Sequence, residues 1–269
     1  MKKLLALLIA LLLIGLVGCT EPTDFSASES QQSSSYAHSS NTSSNAATSS
    51  LSPSAPLLDC DYSQLIADYR IILEIRNDEA FDGWTDAHDL LISEQLRQAI
   101  AAAKNDDIDY HWSNMVIDSV QTLHPDKEQE QCGYTLFDLN GDGIDELFWL
   151  RRDRSIAAIF TCYEGKPVLV DAFWARSRAY VSQNKELYVN SSSGADNNDF
   201  RTYKLLSDGT LQFVRGAYSM YDPETDEVRY FEIVPDETVD ITEEEFDELL
   251  KDYPYELSEF WLSLDFYSL

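Results

Sequence analysis

Basic residues are scarce in this chain: 19 Lys and Arg stand against 48 Asp and Glu, a formal net charge of -29. A surface of that sign repels phosphate backbones, which excludes nucleic acid as a partner. Histidine is sparser still, and none of His88, His111 and His124 falls in a His-Glu-x-x-His or other ligand spacing. Each is read as a surface or locally bonded side chain. No Cys-x-x-Cys pair occurs among the 4 cysteines, so nothing points to zinc or dithiol redox work. A Gly-x-Ser-x-Gly elbow is also missing, and Ser191-Ser192-Ser193-Gly194 reads as a flexible turn. Carboxylates are so numerous that a pair at glycosidase distance carries no information. No catalytic set emerges.

Long apolar runs are missing too, except at the start. Met1-Lys2-Lys3 precedes an almost purely apolar stretch from Leu4 to Val17, then Gly18 and Cys19. That order is a positive region, an apolar region and a small residue before a cut, as in a signal peptide. The stretch falls short of the roughly 20 residues a membrane-spanning helix needs. Residues 20–56 hold 14 Ser among 37 positions and hardly any large apolar side chain. Such a segment buries too little surface to offset its ordering entropy and is expected to be a disordered tether. As a flexible coil it would span about 35 Å. The tetrapeptide Leu16-Val17-Gly18-Cys19 resembles the bacterial lipobox. That resemblance implies a diacylglyceryl group on Cys19, cleavage before it, and a mature chain anchored to the outer face of a cell membrane, since two or three acyl chains hold stably where one does not.

Residues 57–269 suffice for one α+β domain. In residues 61–77, Tyr62, Leu65, Ile66, Tyr69, Ile72 and Leu73 recur at three- and four-residue intervals, which predicts an amphipathic helix. Residues 87–104 and 108–123 read the same way, completing a helical lead-in over 57–125. From Tyr134 the pattern becomes short β-rich runs parted by turn residues, predicting an antiparallel meander of seven or eight strands over 133–235. The expected strands are Tyr134 to Asp138, Glu146 to Arg151, Ile156 to Cys162, Pro167 to Phe173, Glu186 to Asn190, Phe200 to Leu206, Leu211 to Arg215 and Glu227 to Val234. C-terminal helices are expected over 240–269, one opening at the capping box Thr242-Glu243-Glu244-Glu245 and another over Glu256 to Leu264. Beyond Cys19, Cys60, Cys132 and Cys162 allow at most one disulfide, and spacing does not choose the pair.

The strongest internal motif runs Asp138-Leu139-Asn140-Gly141-Asp142-Gly143-Ile144-Asp145-Glu146. Oxygen-bearing side chains stand at relative positions 1, 3, 5 and 9, with a glycine at position 6 for the sharp turn. A hard cation that wants six to eight oxygens is served by such alternation. An EF-hand would place Glu at position 12, where this chain has Trp149, and would flank the loop with helices rather than strands. The segment resembles the strand-loop-strand calcium sites of FG-GAP and VCBS-type repeats. That resemblance implies a structural calcium ion held by Asp138, Asn140, Asp142, Glu146 and the Ile144 carbonyl, with Asp145 facing outward.

Two further groups bear on binding. Arg151, Arg152, Arg154, Arg176 and Arg178 cluster in the early strands and are expected to pair with acidic neighbours. The aromatics from Phe173 and Trp174 to Tyr218 and Tyr230 are expected mostly in the core. Together these features predict a non-enzymatic, calcium-binding interaction module on a membrane tether, with a protein or glycan as ligand. A hydrolase of wall or dietary polymer and an envelope assembly factor are the alternatives.

Overall fold

The computed structural model describes residues 60–76, 78, 81–117, 132–192, 194, 197–235, 237–251 and 264–269. All belong to one compact unit, Ser52–Leu269. The signal segment, Cys19, the tether, His124 and the helix expected over Glu256 to Leu264 lie outside the described residues, apart from Leu264 itself.

Helix α1 (Ser63–Arg76) buries Leu65, Tyr69, Ile72 and Leu73, the stripe its spacing predicts. The single helix expected over 87–104 is instead two, α2 (Asp86–Asp89) and α3 (Glu94–Ala101). Ser93 makes the break. Its backbone is extended and its Oγ accepts from Leu96 N at 3.1 Å, as an N-cap does. Buried Asp68 on α1 holds that cap from below, accepting from Ser93 N at 2.8 Å and Ser93 Oγ at 2.5 Å. Helix α4 (Ile108–Ile117) buries Ile108, Trp112, Met115 and Val116.

The strands number eleven among the described residues, more than the seven or eight expected: β1 (Gly133–Phe137), β2 (Glu146–Leu150), β3 (Ile156–Tyr163), β4 (Lys166–Ala172), β5 (Ser177–Val181), β6 (Leu187–Ser192), β7 (Asn198–Leu205), β8 (Leu211–Asp222), β9 (Glu227–Val234), β10 (Glu237–Ile241) and β11 (Tyr267–Ser268). They form one sheet, ordered β10-β9-β8-β7-β6-β5-β3-β2-β1-β11, with β4 paired to β3. Every pairing is antiparallel. The α+β class stands as a large antiparallel sheet with a few helices. Strand β10 escapes sequence reading because four of its five residues are exposed, so no apolar alternation marks it. Strand β8 extends past the expected end at Arg215 because Gly216, which looks like a break, pairs in register with Arg201.

Strand β2 is buried at every position, which places apolar layers on both of its faces. On one face α1, α3 and α4 pack with Leu147 and Trp149, and Tyr69 stacks on Trp149 at 4.6 Å between ring centroids. On the other, Phe148 and Leu150 meet Val181, Leu187 and Leu205 from β5, β6 and β7. A third, smaller core lies under α5 (Glu243–Lys251), where Phe246 meets Tyr188, Phe200 and Ala217. That helix starts where the capping box predicts: Thr242 N donates to Glu245 Oε2 at 2.8 Å, and Glu245 N donates back to Thr242 Oγ1 at 3.2 Å. A disulfide joins Cys60, just before α1, to Cys162 on β3, and Cys132 is a buried free thiol.

Candidate functional site

The predicted calcium loop is the hairpin between β1 and β2. Asp138 accepts from Gly141 N at 2.7 Å and Gly143 N at 3.2 Å, and Asp142 accepts from Ile144 N at 2.9 Å. Gly141 and Gly143 take the positive φ that so tight a loop demands. Glu146 is fully buried beneath, accepting from Leu139 N at 2.8 Å and Thr161 Oγ1 at 3.0 Å. Burial, reinforced by the charges of Asp142 and Asp138, outweighs those hydrogen bonds and raises its carboxyl to about 7. Asp145 is exposed, facing away.

Asn140 links the loop's acids. Its Nδ2 donates to Asp142 Oδ2 at 3.0 Å and reaches toward Glu146 Oε1 at 3.4 Å, while its Oδ1 accepts from Asp142 N at 2.9 Å. Among the described residues no group of three or more His, Cys, Asp or Glu side chains converges closely enough to hold a metal. The oxygen donors are the right kind and in the right order for calcium. An amide nitrogen, however, bridges two of the acids in this arrangement.

A second constellation was not visible in the sequence. One face of β6 and β7, the end of β4 and the start of α4 enclose a cleft whose parts share walls. Its central pocket, about 230 Å³, is lined by His111, Asp171, Trp174, Ser191, Asp199 and Arg201 among others. On one side it continues into a pocket of about 440 Å³ toward Lys104 and Asp107, sharing His111, Asp171, Arg201 and Tyr203. On the other it opens into one of about 380 Å³ toward Tyr218 and Met220, sharing Trp174, Ser191 and Asp199.

The floor follows from strand alternation. Asp199, Arg201 and Tyr203 share one face of β7 while Phe200 and Thr202 are buried on the other, and the sheet register sets Ser177, Ser191, Asp199 and Tyr218 in one row. Two charged pairs occupy the centre. His111 Nδ1 lies 2.7 Å from Asp171 Oδ1, and this contact raises the imidazole pKa against the opposing effect of burial, with Asp107 adding to the rise. Arg201 donates from Nε at 2.8 Å and Nη2 at 2.7 Å to the two oxygens of Asp199, which keeps the guanidinium charged. The nearest side-chain partner of His111 is thus 60 residues away, with Asn105 Nδ2 at 3.4 Å from the same ring nitrogen. His88, by contrast, contacts Thr85 three residues back. The alternation of Asp199, Arg201 and Tyr203 against Phe200 was the one available signal for this floor.

The arginine cluster uses several kinds of contact. Arg178 pairs with Asp153 at 3.8 Å, Arg151 donates to the carbonyls of Ile156 and Phe173, and the Arg154 guanidinium lies 3.3 Å over the Phe266 ring. Aromatic side chains divide likewise: Phe173 and Tyr188 are core residues, whereas Trp174 and Tyr218 line the cleft.

No protein-family model matches the sequence, and no curated protein matches it either. One solved structure, described as a Xanthomonas type IV secretion system related protein, is similar over 46% of this chain and 62% of that one, at 13% identity and a TM-score of 0.28. The similarity thus spans less than two thirds of that protein's length, and a score this low carries no argument about fold or role.

Proposed function

We propose that this protein is an extracytoplasmic lipoprotein, anchored through Cys19, whose folded domain is a calcium-stabilised, non-enzymatic binding module. The observation that carries this reading is the disulfide between Cys60 and Cys162. Such bridges form and persist in oxidising compartments outside the cytosol, which agrees with the signal-like N-terminus and the lipobox-like Leu16-Val17-Gly18-Cys19. Among the described residues no helix is long and apolar enough to cross a membrane. The acyl chains on Cys19 supply the anchor in this reading.

Calcium enters at the β1–β2 hairpin. Asp138, Asn140, Asp142, Glu146 and the Ile144 carbonyl would hold it, and the ion would supply the positive charge that a buried Glu146 flanked by two aspartates lacks. The ion would take the place of the Asn140 Nδ2 bridge between Asp142 and Glu146. Affinity is expected in the extracellular range, about 10⁻⁴ to 10⁻³ M.

The test uses the full chain produced in a lipoprotein-processing bacterium. Labelled palmitate is incorporated into the wild type and not into Cys19→Ala. Melting of the purified protein rises in millimolar calcium relative to EDTA, and Asp138→Ala removes that rise. Unlabelled wild-type protein would sink the anchor, and identical melting in calcium and EDTA would sink the metal.

A further inference from the structure

The cleft on β6 and β7 has three properties that together select a ligand class. Its central charges are already compensated. Arg201 is held by both oxygens of Asp199, and His111 by Asp171, so an incoming phosphate or carboxylate would have to displace an acidic partner at 2.7 Å. What the pairs still offer is directional hydrogen bonding. Asp171 Oδ1 accepts from His111 and from Ala172 N, and Asp171 Oδ2 has no partner among the described residues. The Asp199 oxygens keep spare lone pairs toward the pocket they line.

Next is the aromatic. Trp174 is half-buried at the junction of two of the pockets, and its indole has no ring partner among the described residues. A flat apolar face beside fixed hydrogen-bonding groups suits a molecule with C–H groups on one side and hydroxyls at its rim. The third property is continuity. Three pockets sharing walls make a path longer than one compact ligand needs, lined beyond the centre by Asn198, Ser192 and Ser219 at one end.

We propose that this cleft binds a linear, uncharged carbohydrate polymer, with Trp174 as the stacking platform and Asp171, Asp199 and Arg201 as hydroxyl partners. Anionic polymers fit poorly because Arg201 and His111 at the centre each already face a carboxylate. The assignment rests on the reading of the domain as a binding module and gives that module its ligand class. Neither the lipid anchor nor the calcium loop contributes a residue to the cleft.

The experiment is calorimetric titration of the full chain, in a zwitterionic detergent free of sugar, with cellohexaose, xylohexaose, laminarihexaose and chitohexaose. At least one is expected to saturate the protein at one per chain. Trp174→Ala should then weaken it about tenfold or more, as loss of a central aromatic anchor does, and Asp199→Asn should weaken it without lowering expression of folded protein. Trp174→Phe should recover part of the affinity, which separates stacking from folding. Palmitate labelling and the calcium shift are read on the same preparation, so loss of glycan binding with both retained overturns the cleft assignment alone. The proposal is also overturned if none of the four hexasaccharides binds, if binding ignores both cleft substitutions, or if inorganic phosphate displaces the sugar.

Discussion

At position 111 an imidazole with about a third of its side chain exposed sits against a carboxylate that is nearly enclosed. Asp171 on β4 and Asp107 ahead of α4 favour the protonated ring, burial opposes it, and Arg201 of β7 lines the same pocket. In the folded protein the His111 imidazole pKa is raised above its ordinary 6.5. Folding is then favoured by proton uptake: the stabilisation is complete below pH 6.5 or so and fades as pH climbs through the raised value. Solvent screening at a partly exposed pair limits it to on the order of 1 kcal/mol. His111→Gln should accordingly melt a few degrees below the wild type at pH 5.5 and close that gap by pH 9, as scanning calorimetry can read. An equal deficit at both pH values would show that the ring acts through packing rather than charge.

At the scale of elements, β7 and β8 close tightly on one another at Gly216. A Cβ on Gly216 would stand 2.5 Å from the Phe200 carbonyl oxygen and 3.3 Å from Arg201 Cγ. The constraint is space and not a positive φ, so only a side chain without a Cβ lets the two strands close. Gly216→Ala should destabilise the protein by about 1–3 kcal/mol, the usual cost of overpacking. It should lower the urea midpoint and disturb Arg201, which pairs with Gly216 across the strands. An unchanged midpoint would mean that the pair opens there without cost. The same position shows why β8 reads as too short: a glycine in a strand looks like punctuation until the neighbouring backbone is present. Residues 87–104 read as one helix because the role of Ser93 as the cap of α3 depends on Asp68, 25 residues earlier. Helices α1 and α4 were read from their apolar spacing, and α5 from its capping box, because each is specified within a few turns of chain.

For the molecule as a whole, the bridge from Cys60 to Cys162 closes a loop of 102 residues and fastens the start of α1 to the middle of the sheet. Constraining so long a segment in the unfolded state stabilises the fold by about 5 kcal/mol in the chain-entropy model. Reductant should lower the melting temperature of the wild type by ten degrees or more, while Cys60→Ser melts low in its absence and is indifferent to its presence. A wild type equally stable in reductant would remove the bridge from the account of stability and weaken the case for an oxidising compartment. The disulfide also braces the wall of the cleft, since β3 carries β4, and β4 carries Asp171.

The sequence by itself determined the helices with an apolar stripe, most of the strands, the capping box and the order of oxygen donors in the loop after Asp138. All of these depend on residues within about one turn or one hairpin, where the spacing of side chains is fixed by backbone geometry. Tertiary structure alone decided that Cys60 takes Cys162, that Gly216 is a close approach, and that His111, Asp171, Trp174, Asp199 and Arg201 face one another. These residues come from α4, β4, β7 and the segment after β4. The folded sheet and α4 bring them together, and no local periodicity records a contact such as His111 to Asp171, made across 60 residues.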